Sequence, residues 1–436
     1  MGSLLGGEHV PGTHWDRFGK YNAIALERAD GAILAIRAHA GELVPGSTED
    51  LLDFLKACNG RHPVAPFTLE LDPTYACSSV SCGGACFSAA YRSLRPKAQI
   101  SEEAAEAAIR AFAHNGGRVV RFDGGGDPLM HEGVRSGRLV VKANELGLRT
   151  TILTSGDLLH RSSWEAIIDS DCYLRVSLNA ATTPTRREIH GNKVDMAKLW
   201  AVLARISQYA MKVSGPPVGA TFLLTAMNYH EVAEAARMAR DAGIRHFSVR
   251  RVLGPDQLRP QFTTTDLETL PELLADARGM SNDDFVVFTP FREVNEPDLS
   301  PQSGQIAASS CWQSTFKTVM EPADQDSKVR VQLCGRYRGD GVGQVTQLPA
   351  IATSAEPSSW VSDWRNSFHA YPHSRPSLLR KCTSCIDRGF IEFMEALIEF
   401  TEMGSRAVNA EHFYIAPQDL GRLRGGLTLR SGRPST

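Results

Sequence analysis

The absences in this 436-residue chain narrow the field first. No apolar run approaches the roughly 20 residues needed to span a bilayer. The opening ten residues lack the charged-then-apolar order of a signal peptide. Gly2 invites a myristoylation motif, but the sixth residue is Gly rather than Ser or Thr. An excess of charge is missing too: 47 Lys and Arg stand against 49 Asp and Glu, a net charge of -2, with a pI near 6.7. Non-specific binding to nucleic acid or to an anionic membrane is therefore not expected. No internal repeat or low-complexity tract interrupts an ordinary globular composition, 42% hydrophobic and 22% charged. A soluble cytoplasmic protein is the expectation, with one large domain and appendages.

Cysteine is the informative residue that is present. The nine lie at positions 58, 77, 82, 86, 172, 311, 334, 382 and 385. An odd count in a reducing compartment fits disulfides poorly. Seven of the nine fall into two groups, which points to metal ligation. Cys58 and Cys172 stand apart and read as small buried hydrophobes.

Positions 1–66 form a preface, with two β-type runs around Ala29-Asp30-Gly31 that predict a hairpin, then a helix over 48–58. From position 67 the pattern becomes strand–helix alternation. Strands are predicted over 67–71, 119–122, 150–153, 173–178, 220–225 and 246–249. Ser101 is placed to cap a helix whose first turn holds Glu102 and Glu103. Asn228 with Glu231 reads as a capping box before another helix. Five or six such units in a row predict an α/β fold: a partial (β/α)6 TIM-like barrel over 67–255, its functional residues at the C-terminal strand ends. Positions 256–310, rich in Pro and Asp, read as a linking segment. A small cysteine-rich domain over 311–390 and a final helix and tail over 391–436 complete the chain.

Cys77, Cys82 and Cys86 give C-x4-C-x3-C in a loop containing Gly83 and Gly84, directly after the first barrel strand. Three thiolates on a 4Fe–4S cluster leave one iron open, and glycines let backbone N–H groups approach the sulfides. A zinc site would want a fourth ligand, and no histidine lies within the loop. On spacing alone both metals stay open.

With the strand order added, 67–250 resembles the radical S-adenosylmethionine (SAM) superfamily. Gly125-Gly126-Asp127-Pro128 is similar to its GGE motif, whose backbone holds the methionyl amino group of SAM, with Asp replacing the usual Glu. Thr154-Ser155-Gly156 sits at the next strand end. Ser177 and Asn179 resemble the ribose-contacting strand. In the following helix Arg187 is the arginine preferred to pair with the SAM carboxylate, against the reading of a solvated charge. The cysteine spacing departs from the family's C-x3-C-x2-C, and Ala85 replaces its aromatic, which leaves adenine stacking to Phe87 or another residue. The resemblance implies an electron delivered by flavodoxin, ferredoxin or a dedicated reductase, cleavage of SAM, and hydrogen abstraction from a substrate by a 5′-deoxyadenosyl radical.

Cys311, Cys334, Cys382 and Cys385 supply four thiolates, with a predicted hairpin between the first two. This resembles the twitch domain, the short form of SPASM, and implies one auxiliary 4Fe–4S cluster; a structural zinc site is the alternative. Among twitch relatives, the expected substrate is a small hydroxyl-rich molecule such as an aminoglycoside, cyclitol or amino sugar from antibiotic biosynthesis. Oxidation, dehydration or epimerisation at a carbinol carbon would each start from the same hydrogen abstraction. A maturase of ribosomally made peptides and a non-catalytic zinc protein are the other readings.

Overall fold

The computed structural model describes residues 22–27, 33–38, 68–79, 82, 86, 88–251, 262–282, 284–288, 317–323, 328–332 and 344–349. Cys58, Phe87, Cys311, Cys334, Cys382 and Cys385, the helices expected over 48–58 and from 390, and the tail lie outside them.

The predicted preface hairpin is present as strands β1 (Asn22–Glu27) and β2 (Ile33–Ala38), antiparallel with Leu26 opposite Leu34. It belongs to a different compact unit from the rest of the described chain.

The alternation from position 67 is also present. Strands β3 (Thr68–Leu71), β4 (Val119–Phe122), β5 (Arg149–Thr154), β6 (Cys172–Ser177), β7 (Gly219–Leu224), β8 (His246–Arg251) and β9 (Val286–Phe288) pair in parallel, each beside its successor. A sheet built this way needs a crossover between every pair of strands. Helices supply them: α1 (Ala89–Leu94), α2 (Glu102–His114), α3 (Glu132–Arg135), α4 (Arg138–Glu145), α5 (Trp164–Asp169), α6 (Thr183–His190), α7 (Met196–Lys212), α8 (Val232–Asp241) and α9 (Thr264–Gly279). In α2 the Ser101 hydroxyl accepts from the Ala104 N–H at 3.1 Å, as the cap pattern predicts. Ala104, Ala105, Ala108, Ile109 and Phe112 are buried along one side. The helix stops where Gly117 lies on the Phe112 ring, so close that a Cβ there would come within 2.3 Å of it.

One face of the sheet carries the core. Leu69, Leu71, Val120, Phe122, Ile152, Leu174, Val176, Ala220, Phe222, Phe247 and Val249 are buried in one apolar cluster with the helices. Each of the Val, Leu, Ile and Phe side chains contributes about 1.5–3 kcal/mol through burial. The alternate residues make the other face, which is mostly polar: Glu70, Arg121, Thr151, Arg175, Thr221, His246, Ser248 and Arg250 lie on it beside Val119, Leu153 and Leu223. Arg121 and Arg175 on this face are buried. Where a parallel sheet with helices on one face curls into part of a barrel, this is the face turned inward.

Three expectations are corrected. The hairpin predicted between Cys311 and Cys334 exists, as β10 (Lys317–Pro322) and β11 (Lys328–Gln332), with β12 (Gln344–Pro349) pairing onto β11. It is not the start of a separate body: β10 pairs in parallel with β3, extending the main sheet to ten strands. The 256–310 segment contains α9, capped by a Thr263–Asp266 capping box, with Leu270, Leu274 and Ala277 buried. Pro271 and a narrow apolar stripe hid this helix from its periodicity. Finally, Asn228 and Glu231 do not cap α8. Asn228 accepts from the Thr225 N–H and donates to the Asn179 and Leu223 carbonyls. The Glu231 carboxylate accepts from the N–H groups of Ala181 and Thr182 and from the hydroxyls of Thr182 and Thr185. It thus ties down the segment leading into α6 and the Thr185 hydroxyl in that helix's first turn, from across the strand ends.

Burial alone would raise the Glu231 carboxyl, but those four donors outweigh it and hold it below the ordinary value of 4.5. The stabilisation is present above the unfolded value and is lost as pH falls through the lower folded one. Glu231→Ala leaves four donors without their acceptor and is expected to cost about 2–4 kcal/mol at neutral pH. Denaturant titration at pH 7 and about pH 3 checks this, since the gap between the proteins should shrink in acid.

Candidate functional site

The loop after β3 begins with Tyr75-Ala76-Cys77. The Gly-rich turn after β4 is sewn to it: the Gly126 N–H donates to the Thr74 carbonyl at 3.0 Å and the Asp127 N–H to the Ala76 carbonyl at 2.8 Å. Only glycine fits at 126, because a Cβ would lie 2.0 Å from the Ala76 oxygen. Gly125 is buried within the same turn. This close approach is the physical content of the Gly-Gly-Asp motif in the chain.

Asp127 then joins the turn to the next strand end. Its carboxylate accepts from the Leu129 N–H, the Thr154 hydroxyl, the Ser155 N–H and the Ser155 hydroxyl, at 2.5 to 2.9 Å. Burial pushes this carboxyl up, and the four donors oppose it. Ser155 in turn offers its carbonyl to Arg186.

Arg186 is the residue the sequence reading missed. Arg187, the predicted carboxylate partner, is exposed on the outside of α6. Arg186 is fully buried, donates to the Ser177, Leu178 and Ser155 carbonyls, and pairs with Asp157 at 2.6 Å. The signal was available in the helix period: Ile189 lies three residues on, so 186 shares its buried face and 187 does not. The Arg186 Nε is buried and has no hydrogen-bond partner among the described residues.

Two polar chains fasten the cysteine loop itself. The Ser78 hydroxyl donates to Asp157 at 2.5 Å, and Asp157 also accepts from Arg186 and from the Asn192 amide. Ser79 bonds His190 Nδ1 at 2.8 Å, and His190 Nε2 meets the Asn179 amide nitrogen at 3.3 Å. Asn179 Oδ1 accepts from the Leu223 N–H, which fixes the amide orientation. Its nitrogen therefore donates to Nε2, and His190 carries its proton on Nδ1, toward Ser79. Burial, then the nearby Arg186, push His190 well below its ordinary value, so the ring stays neutral. Asn179 sits at φ 56°, a left-handed turn that Asn tolerates, where β6 gives way to the loop before α6.

Cys77, Cys82 and Cys86 are each partly buried and not in disulfides. The Cys82 and Cys86 thiols are hydrogen-bonded to each other, and Cys77 adds electrostatically to Cys82. Burial, then the charge of Asp127, raise the Cys77 thiol; the Cys86 bond and burial raise Cys82. The buried Arg92 of α1 opposes both shifts and donates to the Ser79 carbonyl at 3.3 Å. The three thiols are thus neighbours beside one cation, but among the described residues no group of three or more His, Cys, Asp or Glu side chains is arranged to hold a metal ion. Ser177 is half-buried, with its carbonyl on Arg186. Cys172 is fully buried and its thiol is pushed up to about 12, mainly by burial, in keeping with a packing role.

No protein-family model matches the chain, and no curated protein matches it. Among solved structures it is similar to Streptococcus suis SuiB bound to S-adenosylmethionine, at 16% identity and a TM-score of 0.49, over 74% of this chain and 72% of that one. It is also similar to anSMEcpe with bound AdoMet and the Kp18Cys peptide, at 13% identity and 0.45, over 74% and 87%. HydG, a maturase of the [FeFe]-hydrogenase, follows at 12% identity and 0.35, over 55% and 56%. Likenesses this distant carry no weight in assigning a function.

Gly126→Ala is expected to unseat the turn from the cysteine loop and lower the thermal midpoint sharply. Gly124→Ala is the control, since its Cβ would meet nothing closer than 3.3 Å. Melting of the two proteins side by side checks this, with a cost for Gly124→Ala of no more than about 1 kcal/mol.

Proposed function

We propose that this chain is a radical SAM enzyme, with Cys77, Cys82 and Cys86 as thiolate ligands of a SAM-binding 4Fe–4S cluster. The observation that carries the reading is the fastening of the three-cysteine loop, the Gly-Gly-Asp turn and the ends of β5 and β6 into one rim by short hydrogen bonds. Such a rim is what a ligand bridging a cluster and neighbouring strand ends requires, since every contact must be preset.

The residues fit the two groups by their chemistry. Three thiols beside the buried Arg92 suit soft, sulfur-bound iron carrying negative charge. Binding of iron would reverse the upward thiol shifts, because a coordinating thiol is deprotonated outright. The unpartnered Arg186 Nε supplies a donor at the strand ends, where the carboxylate of a bound amino acid moiety would find it. Reduced by one electron, the cluster with SAM supplies a carbon-centred radical able to take a hydrogen atom from an unactivated carbon.

The chain's own residues set the stage for that chemistry. Gly125 and Gly126 bring backbone close to the loop, Asp127 holds Ser155 in place, and Ser177 presents a hydroxyl at the rim. Asn179 positions the loop after β6 through His190, at the strand end proposed to face the ribose. The concave polar face below the rim would hold a substrate away from bulk water.

The finer reading is hydrogen abstraction from a carbinol carbon of a small hydroxyl-bearing molecule, the class that includes cyclitols and amino sugars. Cys311, Cys334, Cys382 and Cys385 are proposed to hold the auxiliary 4Fe–4S cluster, and a flavodoxin, ferredoxin or dedicated reductase to supply electrons.

Anaerobically reconstituted protein should be brown, hold roughly eight irons per chain, and form 5′-deoxyadenosine from SAM under reduction. Replacing Cys77, Cys82 and Cys86 together by Ala should leave about four irons and abolish that product. Cleavage of SAM by the triple variant, or a colourless zinc-loaded wild type, would overturn the reading.

A further inference from the structure

The cysteine loop has a second set of ties, to the end of β10. Before the loop, the Tyr75 hydroxyl donates to the Glu321 carboxylate at 3.0 Å, with the Pro322 carbonyl at 3.3 Å. After it, the Arg95 side chain donates to the Ala323 carbonyl. The Tyr75 N–H meanwhile donates to the Ala98 carbonyl at 2.8 Å, which ties the two flanks to each other. The ladder of β10 on β3 runs on by one bond toward the loop, from the Asp72 N–H to the Met320 carbonyl at 2.8 Å. Both flanks of the loop therefore rest on Glu321, Pro322 and Ala323, where β10 ends.

Glu321 is the junction of this contact. It is fully buried, opposite Arg330 across the β10–β11 hairpin. The Arg330 guanidinium pairs with it at 3.3 Å, and the Gln332 amide donates to it at 2.8 Å. Both of these reach Oε1, whereas Tyr75 reaches Oε2, so the carboxylate divides its oxygens between the hairpin and the loop. A group buried this deeply holds its partners in one arrangement, because leaving any of them unpaired is costly. Chain position says what is being joined. Tyr75 lies two residues before Cys77, and Gln332 lies two residues before Cys334.

We infer that Glu321 is a positioning residue for the SAM-cluster loop, acting through Tyr75, and that the same carboxylate couples this loop to the segment leading into the second cysteine group. For the cluster the inference rests on the radical SAM reading; the coupling of loop to hairpin needs neither iron nor SAM. A change at Gln332 is felt at the cysteine loop because both lean on one carboxylate.

The test leaves Glu321 in place, since its loss would strip the buried Arg330 of its counter-charge. Tyr75→Phe removes only the hydroxyl that reaches Glu321, and Gln332→Met only the amide. Thr318→Val is the control: its hydroxyl, equally buried in the same hairpin, donates to the Gln332 carbonyl at 2.8 Å rather than reaching toward the loop. In the metal-free full chain, iodoacetamide labelling of Cys77, Cys82 and Cys86, followed by mass spectrometry, should be about fivefold faster in Tyr75→Phe and in Gln332→Met, and within about twofold of wild type in Thr318→Val. The double variant should label about as fast as either single one, since both changes cut the same link. Unchanged labelling in Tyr75→Phe, an equal rise in Thr318→Val, or effects that multiply in the double variant would overturn the inference.

A second measurement separates positioning from bulk stability. In reconstituted protein, the SAM concentration that half-saturates the SAM-induced change in the reduced cluster's EPR signal should rise about fivefold in Tyr75→Phe and stay at the wild-type value in Thr318→Val. A wild-type value in Tyr75→Phe would reduce the tie to a structural one and sink the positioning role. Wild-type protein whose signal ignores SAM, with the labelling pattern intact, would instead defeat the enzyme reading and leave the coupling standing.

Discussion

Asp127 is the constraint on which the site's geometry depends. A carboxylate buried this deeply is costly unless its lone pairs are satisfied, and here four donors from its own turn and the end of β5 satisfy them. Its backbone N–H is meanwhile committed to Ala76, at the mouth of the cysteine loop. One residue thereby sets the relative positions of the ends of β3, β4 and β5. Glu at this position would add a methylene to a space already filled by hydrogen-bonded partners, which gives a local reason for the shorter acid.

Rigidity is passed onward through polar chains rather than apolar packing. Ser78 and Ser79, next to Cys77, anchor to Asp157 and His190, and these lead to Arg186, Asn179 and β7. Buried ion pairs such as Arg186–Asp157 add little net stability, because desolvation offsets their attraction. What they provide is a single arrangement: with its fork on three carbonyls and a carboxylate, Arg186 has nowhere else to go. Glu231 does the same for α6 from the far side.

Most of the sheet was legible because strand and helix periods differ and the caps obey simple chemistry. The strands from β3 to β8 fall within a residue or two of their predicted spans. What could not be read was partnership across the chain. Glu231 looks like a local cap because a capping box is a local pattern, yet its partners lie about fifty positions upstream in a loop that only the fold brings near. Arg186 and Arg187 are alike as adjacent residues, and only the helix phase, set by Ile189, separates the buried one from the exposed one. The hairpin near 317–332 was visible as alternation, but alternation carries no information about which edge strand it will join, and it joins β3.

The alternation inside the parallel strands carries a further lesson. Parallel sheets covered on both faces read as continuous apolar runs. Tyr173-Leu174-Arg175-Val176-Ser177 and His246-Phe247-Ser248-Val249-Arg250 do not; every second residue is polar, and those residues share one face. A chain that sets arginine, histidine and serine in the middle of parallel strands has given up apolar packing on that side. Those polar side chains are satisfied by partners within the protein rather than by apolar packing. The same two-residue period that shows which face packs against the helices thus shows that the other face is a lining.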